Sequence, residues 1–479
     1  MSIKKIVIAF ISLALFASCN KILDRQPQSV LDGSTRFKDI KDYDFALLGV
    51  YSMFRSFDYY AGTDGSSNAF AVLPDMLSDN MNETGESLGN QRVFSRWTYA
   101  EDEDQVENTW LTAYRIISQA NLILKDIDKF AATDAGAVSR IKGQALAIRA
   151  MVHFDILRYW AEEYTRNSTK PGIPYITVYD YEQKPQRGTI KQTYDMIEAD
   201  LIAAENEVLN SDEFINDGER SYIDEHVIRA ILARVSLYSE QFDKAIDYAT
   251  QVINEFPLAD INTFPDIWTD LSLDEVIWSY SFDAGQGQVG GNAYDPNTNR
   301  SQYAPNPTLA NMFDPFNDIR FFSYFDFIED DFGDPRLVLT KYLAKFSQIK
   351  NPDGVTNFKA FRTGEMYLVR AEAYARSGAA FTAQANQDLN DLRSARIFGY
   401  SPVNLSGAAL LDAIALERRK ELIGEGHRWF DLKRTTRTVN RPNCTAFCTL
   451  TPARREWAWP IPRPEIDANP NILPQNPGY

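Results

Sequence analysis

Apolar positions along much of this chain recur with helical spacing. In DEHVIRAILARVSLYSEQFDKAIDYATQVINE, Val227, Ile231, Val235 and Tyr238 fall on one stripe. Ala245, Ala249 and Val252 form a second stripe beyond a break at 239–243. Small alanines at such seams let two helices approach closely, so the pattern predicts a helix pair of the tetratricopeptide kind. The same grammar recurs. Ile141, Ala145, Ile148, Val152 and Ile156 line a helix, and residues 108–130, with Trp110, Tyr114, Ile117 and Leu124, look like its partner. EMYLVRAEAYAR (365–376) is broken by Ser377 and Gly378 and followed by QANQDLNDLRSAR. A last pair spans 408–423 and 427–433. The spacing is irregular, which predicts degenerate repeats in a mainly α body and not a uniform solenoid.

Two long tracts fit no helical period, roughly 58–104 and 264–342, the second containing GQGQVGGNAYDPNTNRSQYAPNP. Long irregular segments on a helical frame are more often functional than accidental. No Gly/Ser- or Pro-rich linker divides the chain, so residues 37–479 read as one body.

The start, MSIKKIVIAFISLALFASCN, changes the picture. Lys4 and Lys5, a short apolar core, and small residues before Cys19 have the form of a secretory signal over 1–18. The cysteine directly after Ala17 and Ser18 resembles a bacterial lipobox, with lipid on Cys19 and residues 19–36 as an extended leader. An ordinary secreted protein with an incidental Cys19 is the alternative. No later segment reaches the roughly 20 apolar residues of a membrane span. Removing 1–18 takes away Lys4 and Lys5 and moves the formal charge from −17 to −19. Such an acidic chain argues against nucleic acid as a partner.

Candidate chemistry concentrates in ERRKELIGEGHRWFDLKRT, residues 417–435. Glu417 and Glu421 at i, i+4 share a helical face, and a glycosidase needs two such carboxylates. Yet Arg418, Lys420 and Arg428 lie close and would hold both acids ionised, whereas a general acid needs an apolar site. Gly424 and Gly426 break the helix. The expected arrangement is a staple, with Glu417 or Glu421 paired to Arg428 and Arg418 to Asp431. His427 reads as a turn or cap residue, with no nucleophile or zinc-type spacing beside it. With three histidines and no phosphate loop, no metal or other cofactor is expected. Cys444 and Cys448 can close a small disulfide in an oxidising compartment, and two free thiols are the other reading.

A sugar presents C–H faces that pack on aromatic rings and hydroxyls that want planar polar partners. The first tract offers Asp79, Asn80, Asn82, Asn90, Gln91, Arg92 and Phe94, near Trp97 and Tyr99. The second offers Asn292, Tyr294, Tyr303, Phe313 and Phe316. Trp97 and Trp110 lie near the helical frame and read as core. Tyr294 and Tyr303, set among Gly, Asn and Pro, are the favoured contacts.

Several segments together resemble the SusD/RagB-type nutrient-binding outer-membrane lipoproteins. They are Cys19 leading into ILDRQPQS, then WLTAYRIISQANLIL, IKGQALAIRAMVHFDILRYWAEE, GDPRL, MYLVRAEAYARSG, QANQDLNDLRSAR, ALERRKELIGEGHRWFDLKRT and the ending WPIPRPEIDANPNILPQNPGY. Their order covers nearly the whole chain; Glu162 and Glu163 depart from a turn that is often Gly-rich. The resemblance implies about four tetratricopeptide-like pairs carrying an irregular ligand-binding lobe. It further implies non-catalytic capture of an oligosaccharide by a lipid-anchored protein at the outer membrane, facing the cell exterior, and delivery to a SusC-like TonB-dependent transporter. The same architecture capturing a peptide or glycopeptide is the alternative, and a glycoside hydrolase is a third reading.

Overall fold

The stripes fold as helices in a computed structural model of the chain. It describes residues 37–62, 66–211, 213, 218–282, 286, 288–343, 356–442, 444 and 446–479. The signal, Cys19 and the leader to residue 36 lie outside the described residues. Ten helices make the frame: α1 (Ile40–Met53), α2 (Asp104–Asp126), α3 (Ala135–Trp160), α4 (Ile190–Asn210), α5 (Glu225–Tyr238), α6 (Phe242–Glu255), α7 (Thr363–Ser377), α8 (Thr382–Ser394), α9 (Gly407–Glu421) and α10 (Arg428–Arg434). No helix among the described residues is long and apolar enough to cross a membrane.

Helix α2 packs on α3, α5 on α6 and α7 on α8, while α3–α4 and α6–α7 contacts join successive pairs. Helices α1 and α4 add to the pairs read from the pattern. Capping fixes where they begin: Asp134 accepts from the Ala137 N–H, Asp224 from Val227, and Thr189 with Gln192 closes a capping box on α4. At the α3–α4 seam, a Cβ on Gly143 would lie 2.6 Å from Val208 Cγ2, so only glycine permits this approach. Forked ion pairs lock two seams: Arg149 to Asp200 at 2.7 Å twice, and Arg234 to Glu365 at 2.7 and 2.6 Å. All the apolar residues of the α5–α6 stripes are buried.

Sheet is sparse, and among the described residues it comes in two-stranded pieces. Strand β1 (Met81–Glu83) pairs antiparallel with β3 (Tyr303–Pro305), Asn82 opposite Ala304, and so joins the two irregular tracts. Strand β2 (Val276–Tyr280) pairs with β6 (Phe358–Arg362). Strands β4 (Phe325–Glu329) and β5 (Pro335–Leu339) form a hairpin. Cys444 and Cys448 are joined by a disulfide with Cα atoms 5.7 Å apart.

Candidate ligand-binding cleft

The β1–β3 pair and the β4–β5 hairpin enclose an open cleft of about 790 Å³. Its apolar wall is Phe313, Phe321, Phe327, Leu337 and prolines 305, 307, 315 and 335. Asn82, Thr84 and Asn311 contribute polar groups. Phe327 is 56 % exposed, whereas Phe313 and Phe321 are buried beneath it. Pro305 and Pro335 stand at the ends of β3 and β5, and Pro307 opens a short helical turn, positions where a missing N–H costs little. The charged groups of the wall are paired locally. Glu83 meets Arg92 at 2.7 Å and Arg96 at 2.9 Å. Arg336 meets Asp330 and Glu86, each at 2.6 Å. A ligand here meets rings and amides and no unbalanced charge.

Residues 417–435 hold this cleft in place from behind. Glu421 is buried and accepts from Arg320 (2.9 Å), Arg362 (2.9 Å) and Arg396 (3.0 Å). Glu417 meets Arg320 at 2.6 Å and Arg393 at 2.7 Å. Asp318 takes both arms of Arg320 at 2.8 Å and Lys420 at 2.6 Å. Arg320 and Phe321 are consecutive, and the Lys420 ammonium lies 4.8 Å from the Phe313 ring, so this network fixes the aromatic wall. The other wall is fixed by Arg419, which donates to Asn80 Oδ1 (2.7 Å) and the Asp79 carbonyl (2.6 Å), and by Arg428, forked on Asp79 at 2.7 and 2.9 Å. Residues 79 and 80 run directly into β1.

The electrostatics oppose acid–base chemistry in this stretch. Burial disfavours the Glu421 carboxylate, but Arg396, Arg362 and Arg320 outweigh it and hold the acid well below its usual range. Glu417 is held low in the same way, burial being overcome by Arg320, Lys420 and Arg393. Burial, reinforced by Arg234 and Arg418, pushes His427 well below the ordinary imidazole value, so it is neutral. Neither glutamate can keep a proton to donate.

The sequence candidates fare unevenly. Asn82 lines the cleft, its Oδ1 accepting from Asn306 Nδ2 at 3.1 Å. Phe313 is also in it. Tyr303 and Tyr294, expected at the surface, are buried at 0 % and 6 % exposure. The Gly-, Asn- and Pro-rich chain folds back on itself, so Tyr303 packs into the main core from β3 and Tyr294 sits with Val338 and Leu343. Phe94 is buried against Trp459, and Gln91 is buried with its amide on the Ser66 carbonyl. Asn90 is half-buried and gives its carbonyl to Gln105, away from the cleft. Arg92 is exposed but committed to Glu83. Asp79 and Asn80 belong to the support just described. Asn292, Trp97, Tyr99 and Trp110 are buried. Of the expected staple contacts, Arg418 and Asp431 meet at 3.2 Å. Arg428 instead reaches Asp79, because the turn through Gly424 and Gly426, both at positive φ, swings α10 onto the short helix Leu73–Leu77. Phe321 and Phe327 are additions; the run RFFSYFDF, aromatic without a helical period, is the signal that marks them.

Comparisons with known proteins agree with this architecture. A family model described as "Starch-binding associating with outer membrane" matches residues 56–236, and the SusD family model matches 335–479. SusD-like protein P2 of Formosa agariphila is 26% identical over 99% of this chain and 100% of its own length. A SusD superfamily crystal structure from Bacteroides thetaiotaomicron superposes with a TM-score of 0.79 at 26% identity, covering 91% of this chain and 99% of that one. The surface glycan-binding protein A of Bacteroides uniformis shares the fold, with a TM-score of 0.74 at 21% identity over 91% of this chain and 99% of that one.

Proposed function

The chain belongs to the SusD/RagB family, and from that premise we propose that it captures a glycan in the cleft between β1 and the β4–β5 hairpin and passes it to a TonB-dependent outer-membrane transporter. Lipid on Cys19 would tether the body at the outer membrane, facing the exterior. The observation that carries the reading is the cleft itself: exposed Phe327 above buried Phe313 and Phe321, with Asn82, Thr84 and Asn311 at the edge and every wall charge paired. Sugar C–H faces stack on such rings while hydroxyls exchange hydrogen bonds with the amides. Capture without cleavage is the role we infer: glycosidic hydrolysis needs one carboxyl protonated and one ionised, and the pair that the sequence offers, Glu417 and Glu421, is held ionised at both positions.

Calorimetry against a panel of starch, xyloglucan, laminarin and mannan tests the reading. Phe327→Ala should leave the melting temperature in place, because the ring is already half in water. Losing its contact with the ligand costs about 1.5–3 kcal/mol, roughly 10- to 150-fold in Kd. Peptide binding with no glycan binding would replace the ligand class. Release of reducing sugar, abolished by one Glu or Asp substitution, would replace the binding role with a hydrolase.

A further inference from the structure

A second cleft of about 400 Å³ adjoins the first. Pro315 lines both, and the consecutive Phe321 and Phe322 divide between them, Phe321 to the first and Phe322 to the second. Their rings stand perpendicular with centroids 5.0 Å apart. The second cleft brings together Asn262, Trp268, Phe316, Phe322 and Phe398 from three distant segments. Phe316 is 90 %, Phe322 56 % and Phe398 50 % exposed. Large rings gathered in the open at one place mark a surface that is covered in use.

The platform is built, not loose. Phe398 N donates to the Asn317 carbonyl at 2.9 Å and Ile319 N to the Arg396 carbonyl at 3.0 Å, with Asp318 and Ile397 bridged between them. The loop carrying Phe398 is thus stitched to the loop carrying Phe316. Among the described residues, the one charged side chain lining this cleft, Asp318, is buried and spent on Arg320 and Lys420. Chemistry on both sides of the Pro315 ridge is therefore the same: rings, amides and no free charge.

We propose that the second cleft is a subsite for the far end of the ligand, so that the protein takes an extended, uncharged polysaccharide chain lying across the ridge, and not a short oligosaccharide. This rests on glycan capture in the first cleft. Continuity through Pro315, with matched chemistry, selects the same ligand over a separate partner.

The test uses the mature chain, whichever panel polysaccharide binds, and that polysaccharide's size-fractionated hydrolysis ladder. Wild-type affinity should rise with chain length and then level off. The triple variant Phe316→Ala, Phe322→Ala, Phe398→Ala should bind the shortest ligands like wild type and lose the gain for long chains, roughly tenfold or more in Kd. Wild-type affinity independent of length, or an unchanged length dependence in the triple variant, overturns the subsite. A triple variant that alters only self-association in sedimentation assigns the patch to a second copy and equally overturns it. Failure of the underlying reading looks different: no polysaccharide in the panel binds, or Phe327→Ala leaves affinity for every length unchanged.

Discussion

Replacing Glu421 by Gln removes one charge and almost no volume from the network behind the cleft. Glu421 is fully buried and serves Arg320, Arg362 and Arg396 at 2.9–3.2 Å. Glu275 and Glu425 also meet Arg362, and Glu275 meets Arg396, so partners remain for the outer arginines. The new amide nevertheless turns N–H groups toward buried guanidinium groups. Breaking a buried pair costs about 3–5 kcal/mol, because the stranded charge cannot return to water. At ~2.1 cal/mol/K per residue, a body of roughly 440 residues unfolds with about 0.9 kcal/mol/K, so the melting temperature should fall by about 3–5 °C. The carboxylate is depressed in the folded state, so its contribution is present above the unfolded value of 4.5 and fades as pH falls. The gap between wild type and Glu421→Gln should therefore narrow on acidification. Differential scanning calorimetry across pH reads both effects, and calorimetric titration of the folded variant should give near wild-type affinity. An unchanged melting temperature with lost binding or lost sugar release would refute the reasoning.

Two further outcomes follow from the support of the β1 wall. Arg428→Ala strands Asp79, leaving it Arg419 at 3.4 Å, and should cost about 3–5 kcal/mol, read as lower soluble yield and melting temperature; normal folding with binding alone lost would contradict it. Asp75 is buried, accepting from Asn80 (2.6 Å) and the Gly424 N–H (2.8 Å), with Lys341 and Arg428 facing it; burial pushes it up to about 7 despite them. A raised folded value means its stabilising contribution is full below about 3.8 and is lost as pH rises to about 7, at most ~4 kcal/mol. Asp75→Asn should gain on wild type in melting temperature between pH 5 and 8, and parallel curves would show that Asp75 does not titrate there.

The helical frame was legible because its signal is local. Val227 to Tyr238 and Ala245 to Val252 repeat at the helical period, and the burial they imply is the burial observed. The cleft was legible only in outline. Its tracts lack a period, which points to loops, but Tyr303 is buried by a strand pairing with residues more than two hundred positions away, and no local pattern encodes that. Arg428 shows the same limit: charge complementarity said it needed an acid, and Glu421 and Glu417, seven and eleven positions before it, were the candidates, yet the turn delivers it to Asp79, 349 residues distant. Phe398 sits just beyond α8, outside both irregular tracts, so only the fold reveals that it shares a surface with Phe316.

Ligand should sit between β1 and the β4–β5 hairpin, with residues 417–435 only supporting it. Hydrogen exchange of the mature chain, with and without the polysaccharide it binds, measures this directly. Protection should appear in peptides covering 81–85, 303–313 and 325–339, with 417–435 already protected and unchanged. Ligand-dependent protection centred on 417–435, with none in the cleft segments, would contradict the account.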